Sequence, residues 1–110
     1  MKNKYIPDRN DIIWIDFDPQ AGKEIFKRRP ALVLTSKTYN RFGLVILCPL
    51  TTQKKNYPFE IPIPDNDEQA VLADQIKSFD WRHRNAVFKG KAPASVGQQV
   101  IKKLGFLLAG

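Results

Sequence analysis

Residues 12–17 read Ile, Ile, Trp, Ile, Asp, Phe, and an extended chain sorts them onto two faces, with Ile13, Ile15 and Phe17 on one and Ile12, Trp14 and Asp16 on the other. Their β-branched and aromatic content suits a sheet. Trp14 beside Asp16 indicates that the second face meets something other than bulk water. The polar residues before this strand end in Pro7-Asp8-Arg9-Asn10, a turn cluster that leads into it. Residues 31–35 predict a second strand, and residues 44–50 a third, apolar on both faces and therefore central. Residues 59–63, 70–73 and 86–88 predict three short strands more. Between these lie a polar connector at 37–43 with one short helical turn, a basic loop at 54–58 and an acidic turn at 64–68.

Pro93 precedes Val96, Val100, Ile101, Leu104 and Leu108, whose spacing of about one helical turn predicts a C-terminal amphipathic helix. Gly97 and Gly105 each cost such a helix about 1 kcal/mol relative to alanine. It therefore depends on packing its apolar stripe against the sheet. Five or six short, mostly antiparallel strands with one terminal helix make a small twisted sheet or half-barrel, α+β or mainly β in class.

Polar chemistry gathers at the strand ends. The loop at 18–29 is long for a small compact chain, and loops of that length are more often functional than connective. It carries Lys23, Glu24, Lys27, Arg28 and Arg29, the two arginines standing as its last residues before the second strand. Pro30 biases Arg29 toward extended backbone and suits the first position of a strand. Thr51-Thr52-Gln53 ends the third strand, Lys55 lies in the basic loop, and Asp74-Gln75-Ile76-Lys77 ends the strand at 70–73. Taken singly, a run of basic residues is an ordinary solvated face and strand-ending threonines are common. Gathered at the edges of a rigid sheet, they are how a small fold makes a site.

The chain has 110 residues, enough for one domain with a real core. Eighteen lysines and arginines against 11 acids give a net charge of +7, which favours a polyanionic partner, either nucleic acid or an acidic protein segment. The single cysteine, Cys48, sits in an apolar run, so no internal disulfide and no cysteine-rich zinc site can form, as suits a reducing cytosol. With no apolar segment behind the N-terminus and no long apolar run, the expectation is a soluble cytoplasmic protein. Asp65, Asp67 and Glu68 lack the calcium-loop spacing and its distal glutamate. His83, the only histidine, excludes a two-histidine ribonuclease mechanism and a histidine-rich metal site within one chain, and reads as a surface residue between arginines. No metal or cofactor is expected.

Six short motifs then occur in order: Ile13-Trp14-Ile15-Asp16-Phe17-Asp18-Pro19, Gly22 with Glu24, Arg29-Pro30-Ala31-Leu32-Val33-Leu34, Thr51-Thr52-Gln53, Tyr57-Pro58-Phe59, and Asp74-Gln75-Ile76-Lys77-Ser78. Each is weak alone, but together at this spacing they resemble the MazF branch of the MazF/PemK toxins from about residue 5 to the end. The resemblance implies a homodimer of SH3-like barrels, similar in fold to the CcdB gyrase poison. It also implies a metal-independent endoribonuclease that cuts single-stranded mRNA at short sequences, and an antitoxin that neutralises it.

Carried over residue by residue, the resemblance gives the central catalytic role to Arg29, with Thr51 donating to a non-bridging phosphate oxygen and Glu24 orienting a hydroxyl or a base. It implies RNA contacts for Phe17, Lys23, Arg28, Thr52, Gln53, Lys55, Asp74, Gln75 and Lys77, and an antitoxin contact at Trp14. The reaction would use the RNA's own 2′-hydroxyl, leaving 2′,3′-cyclic phosphate and 5′-hydroxyl ends. The chain departs from the family pattern in the loop, where Glu24 is followed by Ile25-Phe26-Lys27-Arg28. Lys23 and Leu72 stand where some PemK-type relatives have a histidine and an arginine, while Asp74 keeps their aspartate. Two other classes stay open on the sequence: a CcdB-like gyrase poison and a non-catalytic SH3-like RNA-binding module.

Overall fold

Strand β3 (Leu44–Thr51) is the member around which the sheet curls. In the computed structural model, which describes residues 4–17 and 28–110, it takes β2 (Arg28–Val33) on one edge, with Ala31 opposite Pro49 and Val33 opposite Leu47. Its other edge is divided. β6 (Lys77–Asp80) pairs with Leu44 to Leu47, and β5 (Asn66–Leu72) pairs with Leu50 and Thr51. Pro49, which has no N–H to give to either neighbour, lies where β3 leaves one partner and takes up the other. β4 (Glu60–Ile63) closes one end beside β5, while β1 (Asp11–Asp16) and β7 (Val87–Lys91) extend the sheet beyond β2, every pairing antiparallel. The expected curled antiparallel half-barrel, mainly β with a C-terminal helix, is thus the observed architecture.

Strand alternation builds two cores, one on each face. Ile13, Ile15, Ala31, Val33, Val45 and Leu47 bury one side with Phe79 and Trp81; Leu32, Leu34, Cys48, Leu50 and Val71 bury the other. α2 (Ala94–Ala109) covers only the second core, through Val96, Val100 and Leu104. Ile101 and Leu108, expected on that stripe, are 49% and 80% exposed, because the helix turns them off the sheet. α1 (Lys37–Asn40) is the short turn expected before β3. It fixes the amino-terminal segment: Asn40 accepts from Thr35 and donates to the Pro7 carbonyl, and its own carbonyl accepts from the Trp81 ring N–H.

Several boundaries differ from the sequence expectation, the last strand among them, which runs on to Lys91. β2 starts at Arg28, so both arginines are strand residues and not the end of a loop. β5 starts at Asn66, inside the expected acidic turn, because Pro64 and Asp65 alone reverse the chain, Asp65 at φ 66. β6 is a strand with a single buried apolar residue, Phe79, too little alternation to read without its partner β3.

Candidate active site

The ladder between β2 and β3 sets the site. It pairs Val33 with Leu47, Leu32 with Cys48 and Ala31 with Pro49. Past this ladder β2 continues to Pro30 and Arg29, which pair with β1, and β3 to Leu50 and Thr51, which pair with β5, and strand alternation puts Arg29 on the face that carries Ala31 and Val33. Arg29 Nη2 donates to the Leu50 carbonyl at 3.2 Å, and its guanidinium carbon stands 5.4 Å from the centroid of the Phe17 ring, which meets Phe79 edge-on. One guanidinium N–H is thereby spent on the backbone. Among the described residues its other donors have no hydrogen-bond partner, and they stand at an open cleft of about 350 Å³ lined by Arg29, Thr51, Thr52, Gln53 and Gln69.

Thr51 is prepared as a donor. The backbone N–H of Gln53 donates to Thr51 Oγ1 at 3.0 Å, so the hydroxyl proton is left to point elsewhere. A planar cation beside a hydroxyl and an amide, at the end of two rigid strands, is suited to hold the oxygens of a phosphate.

Thr51 and Gln53 also wall a second, larger cleft of about 520 Å³, which continues to Lys55, Tyr57, Asp74 and Gln75. The Tyr57 hydroxyl donates to Asp74 Oδ2, and that bond, with the charge of the carboxylate, pushes the phenol pKa up. The Tyr57 ring packs edge-on to Phe59 at 5.6 Å between centroids. Asp74 Oδ1 is withdrawn from solvent with no hydrogen-bond partner among the described residues. The backbone N–H of Lys55 is fixed by the Glu60 carboxylate at 2.9 Å, which sets the loop between β3 and β4. Behind the wall, burial pushes the Cys48 thiol up to about 12, with the Asp74 charge adding to the effect.

The structure thus gathers Arg29, Thr51, Thr52, Gln53, Lys55, Asp74 and Gln75 around two adjoining clefts, with Phe17 behind Arg29. The others stand apart. Arg28 points to the opposite face from Arg29, as strand alternation requires, and is engaged there by Asp16 at 2.8 Å and by the Asn85 carbonyl at 2.8 Å. Lys77 opens β6 opposite Leu47 and lines neither cleft. Trp14 lies on β1, 37% exposed, with Lys89 Nζ 5.4 Å from its ring centroid. Lys23 and Glu24 lie outside the described residues. Tyr57 stood in the sequence only as part of a motif; its partnership with Asp74, 17 residues away, is what brings it into the site. His83 is on the surface, its Nδ1 2.8 Å from Asp80. Among the described residues no group of three or more potential metal-ligating side chains converges, and no helix is long and apolar enough to cross a membrane.

Residues 8–108 match the family of PemK-like, MazF-like toxins of type II toxin-antitoxin systems. The chain is 42% identical to the endoribonuclease toxin MazF of Escherichia coli K12, over 98% of this chain and 99% of that protein. It is 30% identical to the endoribonuclease toxin ChpB of the same organism, over 88% and 90% of the two chains. Among solved structures, the crystal structure of MazE-MazF (Form-II) from Deinococcus radiodurans superposes with a TM-score of 0.88 at 46% identity, covering 96% of this chain and 97% of that one. An endoribonuclease from a mycobacterial species, 18% identical, shares the fold at a TM-score of 0.74.

Proposed function

Because the chain belongs to the family of PemK-like, MazF-like toxins of type II toxin-antitoxin systems, we propose that it is an endoribonuclease that cuts single-stranded mRNA at short sequences. The observation that supports this reading most is the meeting of Arg29 and Thr51 in one open cleft, with the guanidinium oriented by Leu50 and Phe17. Cleavage by the neighbouring 2′-hydroxyl requires removal of its proton, stabilisation of charge on the phosphorane, and a proton for the departing 5′-oxygen. Arg29 supplies the charge and a fork of N–H donors for the phosphorane and leaving oxygen, a task its always-cationic guanidinium suits better than that of a base. Thr51 donates to a non-bridging oxygen, and Glu24 is assigned the carboxylate that orients the attacking hydroxyl. Thr52, Gln53, Lys55, Asp74 and Gln75 line the path of the strand.

The active species is a homodimer in the cytoplasm, held in check by an antitoxin whose acidic flexible tail covers the basic groove and anchors near Trp14. The neighbouring MazE-MazF structures and the net charge of +7 support that partner. The test incubates purified protein with a long RNA in EDTA and maps the new ends. Cuts at one short sequence, with 2′,3′-cyclic phosphate and 5′-hydroxyl ends, are expected; intact RNA with gyrase trapped on DNA would overturn the reading.

A further inference from the structure

The opening end of β3 carries a surface that the site at its closing end does not use. Thr51 ends this strand in the Arg29 cleft, and Leu44 begins it seven residues earlier, about 23 Å away at the rise of an extended chain. Just before Leu44, the turn that follows α1 puts Phe42 into solvent, 75% exposed. Arg41 lays its guanidinium carbon 5.5 Å from the centroid of that ring, and among the described residues it makes no hydrogen bond or ion pair. Arg82 joins the group from the turn after β6: it donates to the Arg41 carbonyl at 3.2 Å and stands 4.7 Å over the Trp81 ring. From there Arg82 and Trp81 lead into an open cleft of about 350 Å³ walled by Tyr5, Asn85 and Val87, none of which lines either cleft of the candidate active site.

The carboxylate opposite Leu44 does not cancel this charge. Asp80 accepts from the backbone N–H groups of Arg82 and His83 and faces the His83 ring, so it is turned to its own loop and not to the two guanidiniums. Guanidiniums laid on aromatic rings, with an exposed ring beside them, are the parts with which proteins hold single-stranded nucleic acid irrespective of its sequence. The cations meet phosphates, and the free face of the ring takes a base. An acidic peptide would satisfy the charges, but a ring and a guanidinium side by side match the alternation of base and phosphate along one strand.

We propose that this surface is a second RNA-binding site, which holds a flank of the RNA being cut by stacking a base on Phe42 and meeting phosphates with Arg41 and Arg82. The inference rests on the ribonuclease reading given above. The site serves capture of long RNA and leaves the chemistry to the Arg29 cleft.

The experiment measures affinity by fluorescence anisotropy for two RNAs in which hydrogen replaces the 2′-hydroxyl at the cut, so that neither is cleaved. One, of about six nucleotides, covers the cut sequence alone; the other, of about thirty, extends well past the roughly 4–16 nucleotides that a small single-strand binder covers. Arg41 and Phe42 are both exposed, so their replacement leaves the core intact. Phe42→Ala should weaken binding of the long RNA about fivefold or more, the loss of one stacked base, and leave the short RNA and the saturated cutting rate unchanged. Arg41→Ala should show the same split, and its slope of log affinity against log salt should be shallower by about 0.7, one phosphate contact on a single strand. Unchanged affinity of both variants for the long RNA overturns the proposal, as does a loss that is equal for the two lengths. Weakened binding of polyglutamate with RNA binding intact would also overturn it and assign the surface to an acidic protein segment. A wild type that neither binds nor cuts RNA overturns the ribonuclease reading as well.

Discussion

Replacing Arg29 with alanine separates what this residue does for the fold from what it does for the reaction. In the fold it gives up one hydrogen bond at 3.2 Å to a backbone carbonyl and a contact with a half-buried Phe17 ring. Together these are worth about 1–2 kcal/mol, a modest part of the roughly 5–15 kcal/mol that keeps a small domain folded. In the reaction the same change removes a preorganised charge at the phosphorane, a loss of about 2.7–4 kcal/mol or roughly 100-fold to 1,000-fold in rate. The assay is single-turnover cleavage with RNA at saturation, which removes affinity from the comparison, accompanied by a urea melt. Arg29→Ala should melt slightly early and cut several hundred-fold more slowly, with Thr51→Ala between it and the wild type. Arg29→Lys keeps the charge and loses the fork, so a large defect there shows that bidentate geometry matters as well as field. An Arg29→Ala variant that cuts at the wild-type rate would refute the assignment and move attention to Glu24, Lys23 and Asp74.

Arg28→Ala should cost about 0.5–1 kcal/mol in a urea melt and leave the saturated cutting rate near wild type, because its guanidinium is engaged by Asp16 and Asn85 on the other face; a rate loss matching that of Arg29→Ala would contradict this. Stability should fall on acidification. The backbone N–H of Lys37 holds Asp8 below 3.8, and at Asp16 burial is outweighed by hydrogen bonds from Asn85 and Arg28, so both contributions are complete above the unfolded value and vanish as pH falls through the lower folded ones. Urea midpoints should therefore hold from neutral pH to about 5 and drop below about 4, less steeply in Asp16→Asn. Gly97→Ala should lose about 1–3 kcal/mol, since its methyl would stand 2.3 Å from the side-chain oxygen of Asn10, whereas Gly105→Ala, with open space around it, should gain about 0.5–1 kcal/mol in thermal melts. Cys48, buried and with its thiol pushed up to about 12, should resist alkylation in the native protein and react once urea unfolds it.

β1 was legible from its β-branched and aromatic residues sorted onto two faces, and β3 from an apolar run that marks a central strand. β2 was misplaced at its start for a physical reason. Arg28 and Arg29 look like loop residues when charge is taken as exposure, yet one is neutralised by Asp16 and the other rests on an aromatic ring and a carbonyl. β6 and the first residues of β5 owe their extended form to pairing with distant strands, which a local window cannot see. The helix was legible but its stripe was drawn too wide, since spacing alone cannot say that the sheet reaches Val96, Val100 and Leu104 and stops short of Ile101 and Leu108. The cluster at Arg29, Thr51 and Asp74 was recoverable from motif order. The hydrogen bond that brings in Tyr57 was not, because nothing in residues 57 and 74 taken separately points to the other.

The face on which Arg29 stands follows from a ladder in which paired residue numbers always sum to the same value, as 31 with 49 and 33 with 47. A slip of one residue would not shift the site slightly; it would exchange the faces of Arg28 and Arg29, turning one toward the cleft and the other toward Asp16. Two neighbouring arginines of identical chemistry thus differ in task by parity alone. Transplanting this site to another scaffold would therefore require copying an antiparallel pair in register, and grafting the arginine on a loop, however well shaped, would leave its face undetermined.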